Sequence, residues 1–454
     1  MHLNHAGASP SPPSVVQTVV DHLRLEQTLG GYAAEQAVSD ELQRAYQHVA
    51  DLLGPTTTRQ EIALVESATV AWTRLFYAMI DLQDKQQHQH YSSDQKTKVI
   101  LVSQAEYAAQ IVAAIKVAQE ARSTPSLSSW TVRSIPTLIQ QGNTGTVDVA
   151  AFEELLRQER PGEVVALVCV THVPTNSGIV NPVEAIGSVI ARHNNNHHNN
   201  ELYQQDDTPP KTLYLVDACQ SIGQMPVRVK DLQCHGLCGT GRKYLRGPRG
   251  TGFLYVPQHI CELLIPSQVD HSCAPIARVP KTLVVDCEEP LEDIIDFGYK
   301  EGAARFEYWE SSIANKLGLG EAARYAVHDI GLDTIQTKIQ QSAVQLKERL
   351  RRIEQVKIHH DSALATSGIV TFAVTGMNAS DVKAALWLGE EEGGAGSAKY
   401  DVSVVPATST PLDSARLQLP DLVRASVSYT TTIDEIESFC HRLDSISHAN
   451  TRRA

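Results

Sequence analysis

The sequence predicts an α/β protein built on a mainly parallel β-sheet, with a smaller α+β region at its C-terminal end. Up to about residue 256, short apolar segments that suit buried strands alternate with segments of helical periodicity. This alternation is typical of parallel crossover units whose helices cover both faces of a sheet. Farther along, long helical segments come first and short strands follow. A chain of 454 residues, 42% of them hydrophobic, is long enough for two such regions.

The individual elements follow from the spacing of apolar residues. A first helix is predicted after Pro12 and Pro13, where Val16, Val19, Val20 and Leu23 recur at the spacing of one helical face. Short apolar runs then predict strands, and amphipathic stretches predict helices between them. The predicted strands are 62–65, 99–102, 131–135, 164–173, 212–216 and 252–256. The predicted helices between them are 70–79, 108–121, 149–156 and 182–192.

The C-terminal part has a different order of elements. Helices are predicted at 312–327 and 332–353, and strands at 369–374, 402–405 and 423–427. This change predicts two domains. Residues 1–330 would form an N-terminal segment and a large domain, and residues 331–454 a small C-terminal domain.

Two polar segments interrupt the pattern, at about 83–98 and 193–211. Because they hold few apolar residues, we expect them to be solvent-exposed insert loops. Their histidines could bind a metal as a tract, but no carboxylate or cysteine scaffold accompanies them, and no metal site is predicted. The histidines are His88, His90, His193, His197 and His198.

Composition excludes several classes of partner. A formal net charge of -13 argues against binding to nucleic acid or anionic lipid, because both depend on clustered Lys and Arg. No apolar run is long enough to span a bilayer and no leader pattern opens the sequence, so we expect a cytoplasmic protein. Eight cysteines without a CxxC pair fit reduced thiols. The nearby Cys234 and Cys238 lack a second ligand pair and are interpreted as packing residues.

The residues with chemical potential cluster between 213 and 256. An apolar strand that ends in Asp217 puts a carboxylate at the C-terminal edge of a parallel sheet, where open α/β sheets bind ligands. Lys243 follows in a Gly-rich segment that can turn tightly and approach a ligand closely. Taken alone, this segment also fits a solvated basic loop or a phosphate loop. Its combination with Asp217 and Gln220 favours a site with a reactive lysine.

These motifs resemble the class V aminotransferase and cysteine desulfurase family of pyridoxal-phosphate (PLP) enzymes, which have fold type I. The resemblance runs from LNHAGASP near the N-terminus to RASVSYTTTIDEIESF near the C-terminus. It implies that Lys243, at the end of TGRK, carries PLP as a Schiff base and moves the substrate α-proton. It also implies that Asp217, the first residue of DACQ, keeps the pyridine nitrogen protonated. Gln220 would contact the ring hydroxyl oxygen.

The resemblance implies a phosphate site as well. Ala68 and Thr69 follow a predicted strand and begin a helix, where free N–H groups and the helix dipole favour an anion. Thr69 alone fits a helix N-cap equally well. Thr240 and Arg242 match family positions that touch the same phosphate.

Three further positions come from the resemblance. Tyr107 would stack on the pyridine ring. Thr175, in the THVPTNSG turn, aligns with a family asparagine that meets the ring oxygen, and Asn176 is next to it. Arg424 would bind the substrate carboxylate through its planar guanidinium fork. On pattern alone, Arg424 also fits a strand residue that faces solvent.

The resemblance implies an enzyme that acts on a small amino acid through an external aldimine, in a homodimer. The expected reaction is that of a cysteine desulfurase-like C–S or C–Se β-lyase. The stretch before Arg424 that carries a persulfide cysteine in usual desulfurases has none here, so the sulfur product would leave directly. The alternatives are a class V aminotransferase, an isopenicillin N epimerase-like racemase, and a catalytically silent PLP-fold partner subunit.

Overall fold

The computed structural model describes residues 1–89, 96–123, 129–140, 143–198, 209–278, 295–360, 367–388 and 399–451. Its α-helices are α1 Pro13–Leu29, α2 Gly31–Ala37, α3 Ser39–Asp51, α4 Ala68–Gln89, α5 Ala108–Ser123, α6 Val149–Arg157, α7 Val183–His198, α8 Val229–Leu232, α9 Gln258–Cys261, α10 Ile313–Arg324, α11 Leu332–Leu350, α12 Ala379–Leu388, α13 Pro411–Leu417 and α14 Ile433–Thr451. Short 3-10 turns lie at Arg59–Glu61, Gly302–Phe306 and Ala407–Ser409, and a π-helical turn at Tyr325–Ile330.

The strands are β1 Ile62–Val65, β2 Thr97–Val102, β3 Trp130–Ser134, β4 Thr137–Gln140, β5 Asn143–Val147, β6 Glu163–Thr171, β7 Leu213–Asp217, β8 Gly236–Thr240, β9 Gly252–Tyr255, β10 Ile276–Arg278, β11 Asp296–Phe297, β12 Val356–His359, β13 Ile369–Val374, β14 Ser403–Val405 and β15 Leu422–Ser426. In the described part of the chain the central sheet has the order β1-β9-β8-β7-β6-β2-β3. Strands β3, β2, β6, β7 and β8 run parallel, and β9 is antiparallel to both β8 and β1. The predicted fold class is confirmed.

The central strands are apolar because both faces of the sheet are buried. Successive side chains point to opposite faces, so Val99 and Leu101 join one apolar cluster while Ile100 and Val102 join the other. The register pairs Thr171 at the end of β6 with Asp217 at the end of β7. The carboxyl ends of these parallel strands therefore meet at one edge, where ligand crevices form in open α/β sheets.

A second, antiparallel sheet of order β12-β13-β15-β14 lies in the C-terminal region. Helices α11, α12 and α14 pack against it through Leu346, Leu386 and Phe439. The N-terminal segment joins the same core, because Leu3 is fully buried there and its backbone bonds to Asp401 and Ser426. The N-terminal segment at Leu3 therefore lies beside the second sheet, and the chain continues from there to the central sheet. The division at residues 330 and 331 stays a prediction.

The predicted insert loop at 83–98 is wrong in its outer parts. Helix α4 continues to Gln89 and strand β2 starts at Thr97. The polar residues there have protein partners: Lys98 Nζ lies 2.6 Å from Asp84 Oδ1, and Gln83 Nε2 donates to the Pro210 carbonyl at 3.1 Å. The polar composition predicted solvent exposure. Because Gln83, Asp84 and Lys98 have protein partners, these polar residues are compatible with a packed helix end and strand start. Residues 90–95 lie outside the described part.

The second predicted loop, 193–211, is also partly wrong. Helix α7 extends through His198, and the Asn194 side chain makes two 3.0 Å hydrogen bonds to the Thr212 backbone. Residues 199–208 lie outside the described part. Of the histidines, His193 has Nε2 3.9 Å from Glu159 Oε1. His90 and the side chains of His88, His197 and His198 lie outside the description.

None of the helices in the described part of the chain combines the length and the apolarity that a bilayer crossing needs.

Candidate active site

All of the predicted site residues line one cavity of about 320 Å³ at the carboxyl edge of the central sheet. The central sheet with its helices and loops contributes most of the wall, the second sheet contributes β14 and Arg424, and the N-terminal segment contributes Ala6 and Gly7. The predicted residues in its wall are Ala68, Thr69, Tyr107, Thr175, Asp217, Gln220, Thr240, Arg242, Lys243 and Arg424. Tertiary folding therefore brings together residues from both ends of the sequence.

Asp217 is held at the end of β7 by hydrogen bonds to both carboxylate oxygens. The backbone N–H of Cys219 donates to Oδ1 at 2.8 Å, and the side-chain amide of Gln110 donates to Oδ2. The residue is 7% exposed. A buried carboxylate with two fixed donors keeps one orientation and remains available to a cationic group in the cavity.

Lys243 lies in a tight loop between β8 and β9. Backbone bonds from Arg246 N to Lys243 O, at 3.0 Å, and from Gly247 N to Gly241 O, at 2.7 Å, close the loop. Strand β9, which follows the loop, packs so closely on its neighbours that a Cβ at Gly252 would lie 2.4 Å from the Ser67 carbonyl carbon. Glycine is required there because backbone meets backbone.

Electrostatics favour a neutral amine at Lys243. Burial lowers the pKa of Lys243, and Cys219 and Asp217 oppose the shift. The cationic side chains of Arg242 and Arg424 lower this pKa further. A lysine with a depressed pKa has a larger fraction of the neutral amine that attacks a carbonyl.

The first turn of α4 forms another part of the wall. Ser67 caps this helix, since its Oγ accepts from Val70 N at 3.2 Å, and Ala68 and Thr69 lie inside the first turn. The interpretation of Thr69 as the N-cap is therefore wrong. The free N–H groups and positive dipole end of a long helix suit an anion. Thr240 and Arg242 line the same cavity, and the Arg242 guanidinium donates to the Gly7 carbonyl.

A chain of polar side chains joins Gln220 to Arg424. Arg424 Nη1 donates to Thr175 Oγ1 at 2.5 Å, and Gln220 Nε2 donates to the same oxygen at 3.1 Å. Arg424 Nε and Gln220 Oε1 are buried and have no partner among the described residues. Because buried polar atoms are normally paired, these two point to a ligand.

Arg424 is a buried strand residue, and the interpretation that it faces solvent is wrong. It lies on β15, which β13 and β14 flank on either side, and it is 5% exposed. Burial lowers the pKa of Arg424 to about 10. An arginine buried beside a cavity calls for an anionic partner, which a ligand carboxylate would supply.

Tyr107 and Thr175 occupy the cavity differently. Tyr107 precedes α5 and is 43% exposed, so it lies toward the opening. Thr175 reaches the cavity, whereas the Asn176 amide turns away and donates to the Pro406 carbonyl at 3.1 Å. Thr175 and not Asn176 is thus the residue of this turn that a ligand would meet.

Sequence reasoning missed Gln110, which holds Asp217. A signal was present, because Gln110 is the single strongly polar residue within the apolar stretch AAQIVAAI of α5. Thr171, which contacts Gln110, and Glu106, which contacts Thr171, are likewise buried polar residues. Their roles were not visible, because nothing in sequence spacing connects α5 to the ends of β6 and β7.

The cysteines beside Asp217 form a compact group. One ligating atom from each of Asp217, Cys219 and Cys238 lies within 4.8 Å of the others. Burial raises the pKa of the Cys238 thiol well above its ordinary value, and Cys219 and Asp217 raise it further. Cys238 is therefore a protonated packing group. All cysteines in the described part of the chain are buried and free of disulfides.

The fold and the cavity define an α/β protein in which one cavity contains both a lysine with a lowered pKa and a carboxylate fixed at a strand end. Comparison with known families identifies the group. Residues 1–439 match the family model described as Aminotransferase class-V, so the chain belongs to the class V aminotransferase family. The predicted family is confirmed.

Individual relatives are distant. A probable cysteine desulfurase of Pyrococcus abyssi is 24% identical over 310 residues, which cover 68% of this chain and 65% of that relative. The match therefore spans just under two thirds of the relative's length.

Solved structures agree in fold. An apo cysteine desulfurase from Thermococcus onnurineus NA1 superposes with a TM-score of 0.76 at 20% identity, covering 99% of this chain and 95% of the other. A complex of the cystine C-S lyase C-DES with its reaction product cysteine persulfide gives 0.70 at 20% identity, covering 98% and 97%. A lysine-to-alanine variant of C-DES carries glycine covalently linked to its PLP cofactor.

Proposed function

We propose that this protein is a PLP-dependent enzyme that acts on a small amino acid and breaks a C–S or C–Se bond at its β-carbon. One observation carries the proposal: Lys243, with a lowered pKa, and Asp217, with a fixed carboxylate, line the same cavity. A lysine amine and an anion for a ring nitrogen are the two groups that PLP chemistry requires. Family membership supports the same reading.

The residues present fit the cofactor. Asp217 would hold the pyridine nitrogen, the first turn of α4 would hold the phosphate, and the unpaired Oε1 of Gln220 would meet the ring hydroxyl. When bound, PLP supplies a ring that stores the electron pair left by loss of a substrate proton. Tyr107 would cover one face of the ring and limit access of water.

The chain's own residues divide the remaining work. Lys243 would bind the cofactor's aldehyde carbon and, once released, move the α-proton of the substrate. Arg424 would bind the substrate carboxylate, because its Nε is unpaired and its Nη1 is already oriented by Thr175. Together they would set which bond at the α-carbon faces the lysine.

The lyase hypothesis rests on the lack of a cysteine where usual desulfurases carry the one that accepts the sulfur. Residues 400–424 contain no cysteine. Cys219 is the cysteine of the cavity wall in the described part of the chain, and it lies in a compact group with Asp217 and Cys238. The fold also occurs in a cystine C-S lyase whose product is cysteine persulfide. Transamination and racemization use the same lysine and arginine and are distinguished by their products.

Absorbance spectroscopy tests the cofactor proposal. After incubation with PLP, the protein should show a band at about 410 to 430 nm that borohydride removes, as a lysine Schiff base does. Lys243→Ala should lose the band, whereas Lys116→Ala, at an exposed helix position paired with Glu120, should keep it. No band in the wild type would reject the enzyme reading and favour a silent partner subunit.

Product analysis tests the reaction. With cystine, cysteine or selenocysteine, a β-lyase should release pyruvate and ammonia in equal amounts, together with the sulfur or selenium product. Alanine with persulfide would indicate a desulfurase, and a keto acid that requires a second keto acid as acceptor would indicate an aminotransferase.

The family resemblance also supports a homodimer, which sedimentation velocity at micromolar concentration would test.

A further inference from the structure

We propose that Gln110 is a positioning residue for Asp217, and that Glu106 and Thr171 hold Gln110 in place through one buried hydrogen-bond relay. The inference deepens the proposed function and rests on it, because Asp217 is the residue that would hold the cofactor's ring nitrogen. Gln110 and Thr171 are part of the cavity wall, and Glu106 is fully buried.

The relay is continuous from the loop between β2 and α5 to Asp217. Ser103 Oγ donates to Glu106 Oε2 at 2.6 Å, and Thr171 N donates to the same oxygen at 3.0 Å. Thr171 Oγ1 contacts both Glu106 Oε1 and, at 3.3 Å, Gln110 Oε1. The Gln110 amide then donates to Asp217 Oδ2.

The relay is shielded from water. Glu106 is 0% exposed, and Gln110 and Thr171 are 4% exposed. In such surroundings an unmade hydrogen bond is costly, because no water replaces it. Glu106 therefore orients Thr171, Thr171 orients Gln110, and Gln110 orients Asp217.

Proton counting gives the relay a direction. The Thr171 hydroxyl has one proton and two acceptors within reach, Glu106 and Gln110. If Glu106 is ionised, its carboxylate accepts the hydrogen bond from the Thr171 hydroxyl. The side-chain carbonyl of Gln110 then has no donor from Thr171. If Glu106 is protonated, it donates to Thr171, Thr171 donates to Gln110, and Gln110 donates to Asp217. Only the protonated relay satisfies every member.

Electrostatics are consistent with the protonated state. Burial raises the pKa of Glu106 to about 7, the Ser103 and Thr171 donors oppose the shift, and Asp217 adds to it. Among the described residues, Cys169 and Tyr214 also interact electrostatically with Glu106. Both stay neutral, because burial raises their pKa well above ordinary values.

Gln110→Met tests the positioning role, since methionine has a similar length and no hydrogen-bonding amide. Loss of one donor to a buried carboxylate should weaken PLP binding by about tenfold or more. The pH at which the Schiff-base absorbance changes should shift as well, because it responds to the charge held at the ring nitrogen. Gln119→Met, at an exposed position of the same helix, is the matched control and should leave both values unchanged.

A second pair of variants guards against a trivial folding defect. Thr171→Val removes the hydroxyl, and Thr171→Ser restores it in a smaller side chain. We expect Thr171→Val to resemble Gln110→Met in PLP affinity and in the pH titration, and Thr171→Ser to remain close to wild type. Thermal melts of each apo protein identify any variant that has lost its fold.

The outcomes separate the two proposals. A wild-type protein that forms no Schiff base overturns the proposed function, and the relay loses its role with it. A wild-type protein that binds PLP, with folded Gln110→Met and Thr171→Val variants equal to it in affinity and titration, overturns the relay alone. If Gln110→Met does not fold, equal behaviour of Thr171→Val and Thr171→Ser overturns the relay.

Discussion

The two ends of the cavity differ in how completely their polar atoms are paired. At the Asp217 end both carboxylate oxygens accept hydrogen bonds from the protein. At the Arg424 end, Nη1 is paired with Thr175, but Nε is buried without a partner among the described residues. Polar atoms that are already paired within the protein are oriented before a ligand binds. A buried polar atom without a protein partner gains its hydrogen bond when the ligand binds. This contrast is what a resident cofactor and an exchanging substrate would require.

The two ends also have different structural origins. Asp217 lies at the end of a parallel strand in the central sheet, where Gln110 of helix α5 donates to its carboxylate. Arg424 lies on the antiparallel second sheet, beside the N-terminal segment. Substitutions at the first end should change chemistry, and substitutions at the second end should change substrate binding.

The largest expected effect at the Asp217 end comes from Asp217→Ala. The variant should keep the Schiff-base absorbance, because Lys243 is intact, but lose turnover on the order of 10²-fold or more, because the anion that stabilises developing charge is gone. Spectra and steady-state kinetics of the same preparation measure both. Undiminished turnover in a PLP-loaded variant would contradict the role of Asp217.

Arg424→Lys tests the other end. The KM for the amino acid should rise by about tenfold or more, because a lysine ammonium cannot replace two parallel hydrogen bonds from a guanidinium fork. PLP affinity should stay near wild type. Arg192→Lys, on the exposed face of α7, is the matched control. An unchanged KM for every accepted amino acid would remove Arg424 from the substrate site and erase the contrast between the two ends.

A smaller effect is expected from Glu106→Gln, which mimics the protonated side chain. Between the ordinary pKa of 4.5 and the raised value of about 7, the folded protein keeps a proton that the unfolded chain has lost. The free energy of unfolding of the wild type therefore decreases, relative to the variant, as pH rises through this window. The full relative change is at most roughly 3 kcal/mol.

Urea unfolding of the apo proteins at pH 4.5, 6 and 8 measures this change. The stability of Glu106→Gln relative to wild type should increase with pH and level off above about pH 7. A difference that is constant over the whole range would mean that Glu106 titrates normally in the folded protein.

Local sequence signals pointed to Asp217 and Lys243, both of which line the cavity, because these signals combine element type with position. An apolar strand that ends in Asp217, and a lysine within a Gly-rich segment, each have a physical reason to lie at a sheet edge. The polar segments near residues 83 and 193 contain more regular structure than their composition predicts. Their side chains are paired, as in the contact of Lys98 with Asp84, and composition alone does not distinguish paired from solvated polar groups.

The sequence by itself determined the fold class, the family and part of the polar lining of the cavity, because apolar periodicity and short motifs act over a few neighbouring residues. The tertiary structure alone decided how those groups are held. It joined Gln110 to Asp217 and Thr175 to Arg424 across more than one hundred positions of sequence. Such contacts depend on strand order and packing, and burial then decides which polar atoms are paired, which pKa values shift and which donors remain for a ligand.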